Sequence, residues 1–182
     1  MQFTIADTTL AVNVPHAAGL LSAVRERLAL RQGFALATIN LDHLVKLRSD
    51  PAFRAAYAAQ DFVVADGNPI VWLSRLARRP VDLVPGSAMV APLARLAAQA
   101  GVKIALLGST QEALDAAAEA LKLEVRGLDV ALTIAPPMGF DPAGEEATRY
   151  LRMMETAGIG LCFLALGAPK QEILAARGRE LA

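Results

Sequence analysis

Apolar positions along this chain alternate between two periods. Leu20, Leu21, Val24 and Leu28 recur at three- and four-residue spacing, which predicts an amphipathic helix over residues 15–32, closed by Gly33 as a C-cap glycine. The next stretch, 34–39, is a short run of mostly apolar residues that reads as a buried strand. The alternation then repeats. Helices are predicted over 42–48, 50–59, 69–76, 87–100, 111–123, 143–157 and 171–179. Strands are predicted over 62–65, 103–107, 130–135 and 161–166. Asp50-Pro51 opens one helix, with proline suited to a first-turn position. Two short extended pieces near 3–5 and 10–12, joined by Asp7-Thr8-Thr9, predict an opening hairpin.

Strands apolar on both faces, each followed by a helix, imply an α/β fold: a mostly parallel, Rossmann-like sheet with helices on both faces, after a small N-terminal β-hairpin. The 182 residues suit one domain, and no repeat or low-complexity linker divides them.

Composition and charge narrow the function classes. The chain is 54% hydrophobic, with 18 basic and 18 acidic residues and zero formal charge, so nothing overall draws it to nucleic acid. Arg75, Arg78 and Arg79 form a local cluster, read either as a solvated helix end beside a favourable dipole or as a contact for phosphate or an anionic membrane. The single cysteine, Cys162, lies in an apolar run and reads as a strand residue rather than a nucleophile. The first residues lack a signal-peptide layout, and no apolar run nears the ~18 residues of a membrane span. The expected location is the cytoplasm.

In a parallel sheet, ligands bind beyond the carboxyl ends of the strands. Small and polar residues gather at those places: Thr38 and Asn40; Asp66, Gly67 and Asn68; Gly108 and Ser109; Gly139 and Phe140; and Gly167, Pro169, Lys170, Gln171 and Glu172; Gly86 and Ser87 likewise open a helix after a loop. Glycine lets backbone approach a ligand, and helix N-termini present N–H groups to phosphate. Tight turns and caps want the same residue types, so each loop alone remains open to that plainer reading. Asp66 is the sharpest candidate, either a cap or a general base at the rim of the sheet. Thr38 and Asn40 could hold substrate hydroxyls or orient it. No Gly-x-Gly-x-x-Gly and no Walker loop is present. There is no Asp-x-Asp, and His16 and His43 lack ligand spacing, so neither a metal nor a cofactor is expected. Both histidines read as helix-surface or capping residues.

These landmarks, in this order, resemble the WecG/TagA/CpsF glycosyltransferase family. The matching segments are 38–44 (Thr-Ile-Asn-Leu-Asp-His-Leu), 65–72 (Ala-Asp-Gly-Asn-Pro-Ile-Val-Trp), 106–108, 136–140 (Pro-Pro-Met-Gly-Phe) and 167–172 (Gly-Ala-Pro-Lys-Gln-Glu). The resemblance implies a metal-independent, inverting transfer from a UDP-sugar, often UDP-N-acetylmannosamine, to an undecaprenyl-diphosphate-linked sugar in cell-wall or exopolysaccharide synthesis. It implies Asp66 as base, Thr38 and Asn40 as active-site polar residues, and Gln171 in the donor site. It also implies backbone approach to the nucleotide sugar at Gly108 and Gly167. The lipid-linked acceptor implies peripheral contact with the membrane; a homo-oligomer is left open.

Two departures accompany the resemblance. Leu83 and Ala88 stand where the family usually carries arginine and aspartate. The chain also reads as a catalytic core, 1–182, lacking the family's basic C-terminal appendage. A catalytically impaired UDP-sugar binder or assembly subunit is the alternative these departures raise. A nucleotide-sugar epimerase or dehydrogenase is a further rival, but its glycine fingerprint is missing.

Overall fold

The computed structural model describes residues 1–181. Its first two strands, β1 (Gln2–Ile5) and β2 (Thr8–Ala11), form the expected antiparallel hairpin. The turn is tighter than predicted: Ala6 adopts a left-handed conformation, so Thr8 already pairs with Ile5. Then follow α1 (Ala17–Leu30), β3 (Leu36–Ile39), α2 (Leu41–Ser49), α3 (Pro51–Ala58), β4 (Phe62–Ala65), α4 (Asn68–Leu76) and α5 (Gly86–Gln99). The rest comprises β5 (Lys103–Gly108), α6 (Gln111–Glu124), β6 (Val130–Ile134), α7 (Glu145–Ala157), β7 (Ile159–Ala165) and α8 (Lys170–Leu181).

The α/β class and the parallel strands agree with the sequence pattern, and most boundaries fall within two residues of it. The end of α1 differs in kind. Arg31, not Gly33, takes the left-handed C-cap conformation, and bonds from Arg31 N–H to Leu28 C=O and from Gln32 N–H to Arg27 C=O offset its strain. Strand β3 starts late because Asp61 claims its entry: the Asp61 carboxylate accepts from Ala35 N–H, and Ala35 C=O accepts from Asp61 and Phe62 N–H.

Hydrogen bonding divides the parallel strands into two ladders, β3–β4 and β6–β5–β7. Alternation along β5 shows why its ladder needs cover on both sides. Ile104 and Leu106 join a core with α1, α5 and α6, while Ala105 and Leu107 join another with α7 and α8. Val64 of β4 belongs to the first of these cores, so it spans both ladders. Val63 and Ala65 point the other way, into a third core with the hairpin residues Leu10 and Val12.

Helix α8 bridges the ladders, packing on α3 and on β7. Arg179 near its end and Arg27 of α1 both pair with Asp61, at 3.0 and 3.4 Å, fixing α8 beside the start of β4. Between β3, β7 and α8 lies a cleft of about 1000 Å³. That is room for a ligand of nucleotide size or larger.

Candidate functional site

The register of β3 and β4 ends on the pair Ile39–Ala65, so Asn40 and Asp66 leave the ladder side by side. Asp66 N–H donates to Ile39 C=O at 2.8 Å, extending the pairing by one bond and fixing the Asp66 backbone at the rim. Its carboxylate Oδ2 accepts from Gly86 N–H, the first residue of α5, at 3.2 Å. Gly86 is glycine for a steric reason: a Cβ there would lie 3.1 Å from Thr38 Cγ2 and 3.7 Å from Asp66 Oδ2. The absent side chain lets Thr38, Asp66 and the start of α5 converge. Gly67 takes a φ of +123°, which favours glycine, and turns the chain from Asp66 into α4.

Thr38, Asp66, Gly86, Ser87, Gln171 and Glu172 all line the cleft. Glu172, in the first turn of α8, is only 2% exposed, although a buried carboxylate is normally paired. Its Oε1 accepts from Gln171 Nε2 at 2.9 Å, and its Oε2 has no partner among the described residues. Gln60 Nε2 holds the Glu172 backbone carbonyl at 3.1 Å. Glu172 thus brings an unpaired carboxylate oxygen to the cleft wall, shielded from solvent by its neighbours.

A buried polar chain backs this wall. Tyr57 donates its hydroxyl to Thr38 C=O at 2.8 Å, and His43 Nδ1 lies 2.8 Å from the same hydroxyl. The phenol has one proton, already given to Thr38, so His43 Nδ1 carries the hydrogen in this second bond. Burial pushes the Tyr57 pKa up, and the carboxylates of Glu172 and Asp66 add to the effect. Burial lowers the His43 pKa against the opposing pull of Glu172. His43 is 5% exposed, which corrects the surface reading of this residue; Phe53 and Tyr57 pack edge-on against its ring. His16 does cap α1, accepting from Gly19 N–H.

The chain's sequence matches the family described as "Glycosyl transferase WecG/TagA/CpsF family" over residues 5–182. The chain belongs to that family. Membership makes it a glycosyltransferase-family protein of cell-wall polysaccharide synthesis, with a sugar donor and a lipid-linked acceptor in general terms.

The remaining candidates of this WecG/TagA/CpsF chain take other positions. Asn40 Oδ1 caps α2, accepting from His43 N–H at 2.9 Å, which leaves its amide NH₂ for other partners. Gly108 ends β5, where a Cβ would meet Ala165 C=O at 2.3 Å, and Ser109 N–H donates to that carbonyl at 3.1 Å. Phe140 is buried against Tyr150, and Gly139 supplies the left-handed turn before it. Gly167 also takes a positive φ, and Gly167 C=O accepts from Gln171 N–H at 3.2 Å. Pro169 follows a cis peptide bond, and Lys170 is the first residue of α8. None of Gly108, Ser109, Gly139, Phe140, Gly167, Pro169 and Lys170 lines the cleft that holds Asp66.

Leu83 and Ala88 are both solvent-exposed, flanking the start of α5, whose first N–H is bonded by the Asp66 carboxylate. Cys162 lines the cleft wall, where burial pushes its thiol up to about 12. Among the described residues no three His, Cys, Asp or Glu side chains gather as a metal-ion site. Sequence reasoning missed His43, Tyr57 and Gln60, whose local sequence carries no sign of a shared polar interior.

Proposed function

We propose that this chain is an inverting, metal-independent glycosyltransferase that moves a hexose, N-acetylmannosamine-like or other, from a UDP-sugar to an undecaprenyl-diphosphate-linked acceptor at the cytoplasmic membrane face. The observation that carries the reading is the Asp66 carboxylate, held by Gly86 N–H beside Thr38 in the wall of a cleft shared with Gln171 and Glu172. In this reading Asp66 takes the proton of the acceptor hydroxyl. The acceptor oxygen bonds to the anomeric carbon as the carbon–oxygen bond to UDP breaks, and UDP leaves with the electron pair on the opposite face. A positioned base of this kind contributes ~10²–10⁴-fold.

Thr38 and the Asn40 amide steady the reacting hydroxyls, and Gly67 keeps the turn beside them open. The free oxygen of Glu172 accepts a sugar hydroxyl while Gln171 binds beside it. The start of α5, with Ser87, and the start of α8, with Lys170, supply positive potential to the leaving diphosphate. Gly108, Ser109, Gly139, Phe140, Gly167 and Pro169 lie outside that cleft, and in this reading they support the nucleotide side by fixing the turns of the neighbouring rim. The second reading, a UDP-sugar binder impaired in catalysis, is favoured by the apolar Leu83 and Ala88 beside α5.

A thermal-shift panel of UDP-sugars tests the donor, because a ligand that binds only the folded state raises its melting temperature. One UDP-sugar is expected to raise it, with transfer to a lipid-diphosphate sugar that EDTA leaves unchanged. No shift with any UDP-sugar would refute the donor assignment. Binding without transfer would favour the impaired binder, and Mg²⁺-reversible inhibition by EDTA would refute metal independence.

A further inference from the structure

Helix α4 turns an apolar face away from the protein. Its inward side is Ile70, Val71 and Ser74, all buried, with Ser74 Oγ donating to Val71 C=O and accepting from Val81 N–H. At about 100° per residue, Trp72 and Leu76 fall opposite that side. They are 63% and 82% exposed, with Leu73 also exposed next to them. The outer face of a helix in water normally carries polar side chains. Here it carries a tryptophan and two leucines.

Arg75, Arg78 and Arg79 border this face, all exposed, and none joins an ion pair among the described residues. The helix C-terminus accounts for cations in this place, since its carbonyls attract them. It does not account for Trp72 and Leu76. In a chain of zero formal charge, residues 72–83 hold these three arginines against one acid, Asp82.

We propose that this face of α4 docks on an anionic lipid bilayer, with Trp72, Leu73 and Leu76 entering the headgroup region and the three arginines meeting lipid phosphates. Tryptophan favours that boundary, and each basic residue near an anionic leaflet adds attraction. A second copy of the chain fits less well, because a two-fold contact through this face would bring six arginines together against two acids. Helix α4 starts two residues after Asp66, so docking through it presents the Asp66 rim to a lipid-linked acceptor. That link rests on the transfer proposed above; the docking does not.

Trp72 is the chain's one tryptophan, so its fluorescence reports on this face alone. The full chain, without donor or acceptor, is titrated with phosphatidylcholine vesicles with and without phosphatidylglycerol. The expected result is a blue shift and quenching by brominated acyl chains on the anionic vesicles, weakened by salt. Combined Arg75→Ser, Arg78→Ser and Arg79→Ser substitution weakens it at least tenfold. Combined Trp72→Ser and Leu76→Ser substitution abolishes co-sedimentation, with circular dichroism and melting temperature unchanged. Unaltered emission on anionic vesicles overturns the proposal, as does equal binding to neutral ones. So does a lipid-free blue shift that grows with protein concentration alongside a dimer in sedimentation. Vesicle binding by a chain that transfers no sugar leaves the docking standing and removes the transferase.

Discussion

The two parallel ladders use glycine at their carboxyl ends in opposite ways. At the end of β3–β4, Gly86 makes room for side chains: Thr38 and Asp66 meet across the place its Cβ would fill. At the end of β5–β7, Gly108 makes room for backbone: the Ala165 carbonyl occupies the place of its Cβ, and Ser109 N–H closes onto the same oxygen. The first rim therefore presents a carboxylate and a hydroxyl to the cleft. The second presents turns and a buried Phe140. Identical residue types in one chain thus serve reacting groups at one rim and close packing at the other.

The largest expected contrast comes from the first rim's carboxylate. Asp66→Asn keeps the shape and removes the base, so sugar transfer is expected to fall ~10²–10⁴-fold while UDP-sugar affinity stays within a few-fold. Retained turnover would reduce Asp66 to a turn residue. Next comes the second rim. Gly108→Ala sets a methyl group against the Ala165 carbonyl at a φ of +123°. It is expected to cost at least ~3 kcal/mol of stability in urea unfolding; a cost near zero would show that β5 and β7 can part here without penalty.

Gly86→Ala should do the reverse, leaving stability within ~1 kcal/mol and displacing Thr38 from Asp66. Transfer is expected to drop ~10- to 100-fold, because small misplacements are costly in a reacting geometry. Glu172→Gln replaces the free acceptor oxygen with an amide. It is expected to lower transfer about tenfold, the scale of one hydrogen bond, without lowering the melting temperature. The smallest effect concerns the buried chain behind Thr38. His43 has a lowered pKa in the fold, so the unfolded chain takes up its proton first on acidification. Stability is complete above about 6.5, then falls with decreasing pH by at most ~1.4 kcal/mol per unit until the folded pKa is reached. Denaturation at several pH values should show this slope, and His43→Gln should remove it.

Element order was legible because periodicity is local. The strands, the amphipathic helices and the Pro51 start all follow from neighbouring residues. The gap between the ladders was not, because which strand pairs with which depends on contacts between distant segments. Asp66, Thr38, Gln171 and Glu172 were legible as candidates from their places after strands, Gly86 and Ser87 from the start of a helix, and the fold brings these six to one cleft. The burial of Glu172 was hidden, since a glutamate in a first helical turn usually faces water near the helix dipole. His43 was misread for a similar reason: Phe53 and Tyr57, which pack on its ring, come from another helix.

A crystal structure with an unreactive UDP-sugar analogue most directly tests whether chemistry belongs to the β3–β4 rim. The expected complex has the anomeric carbon in the cleft, UDP on one side, and the Asp66 carboxylate facing the opposite side within reach of one bridging hydroxyl or water. Glu172 Oε2 should meet a sugar hydroxyl. A sugar bound elsewhere, with Asp66 held only by Gly86 N–H, would contradict the account.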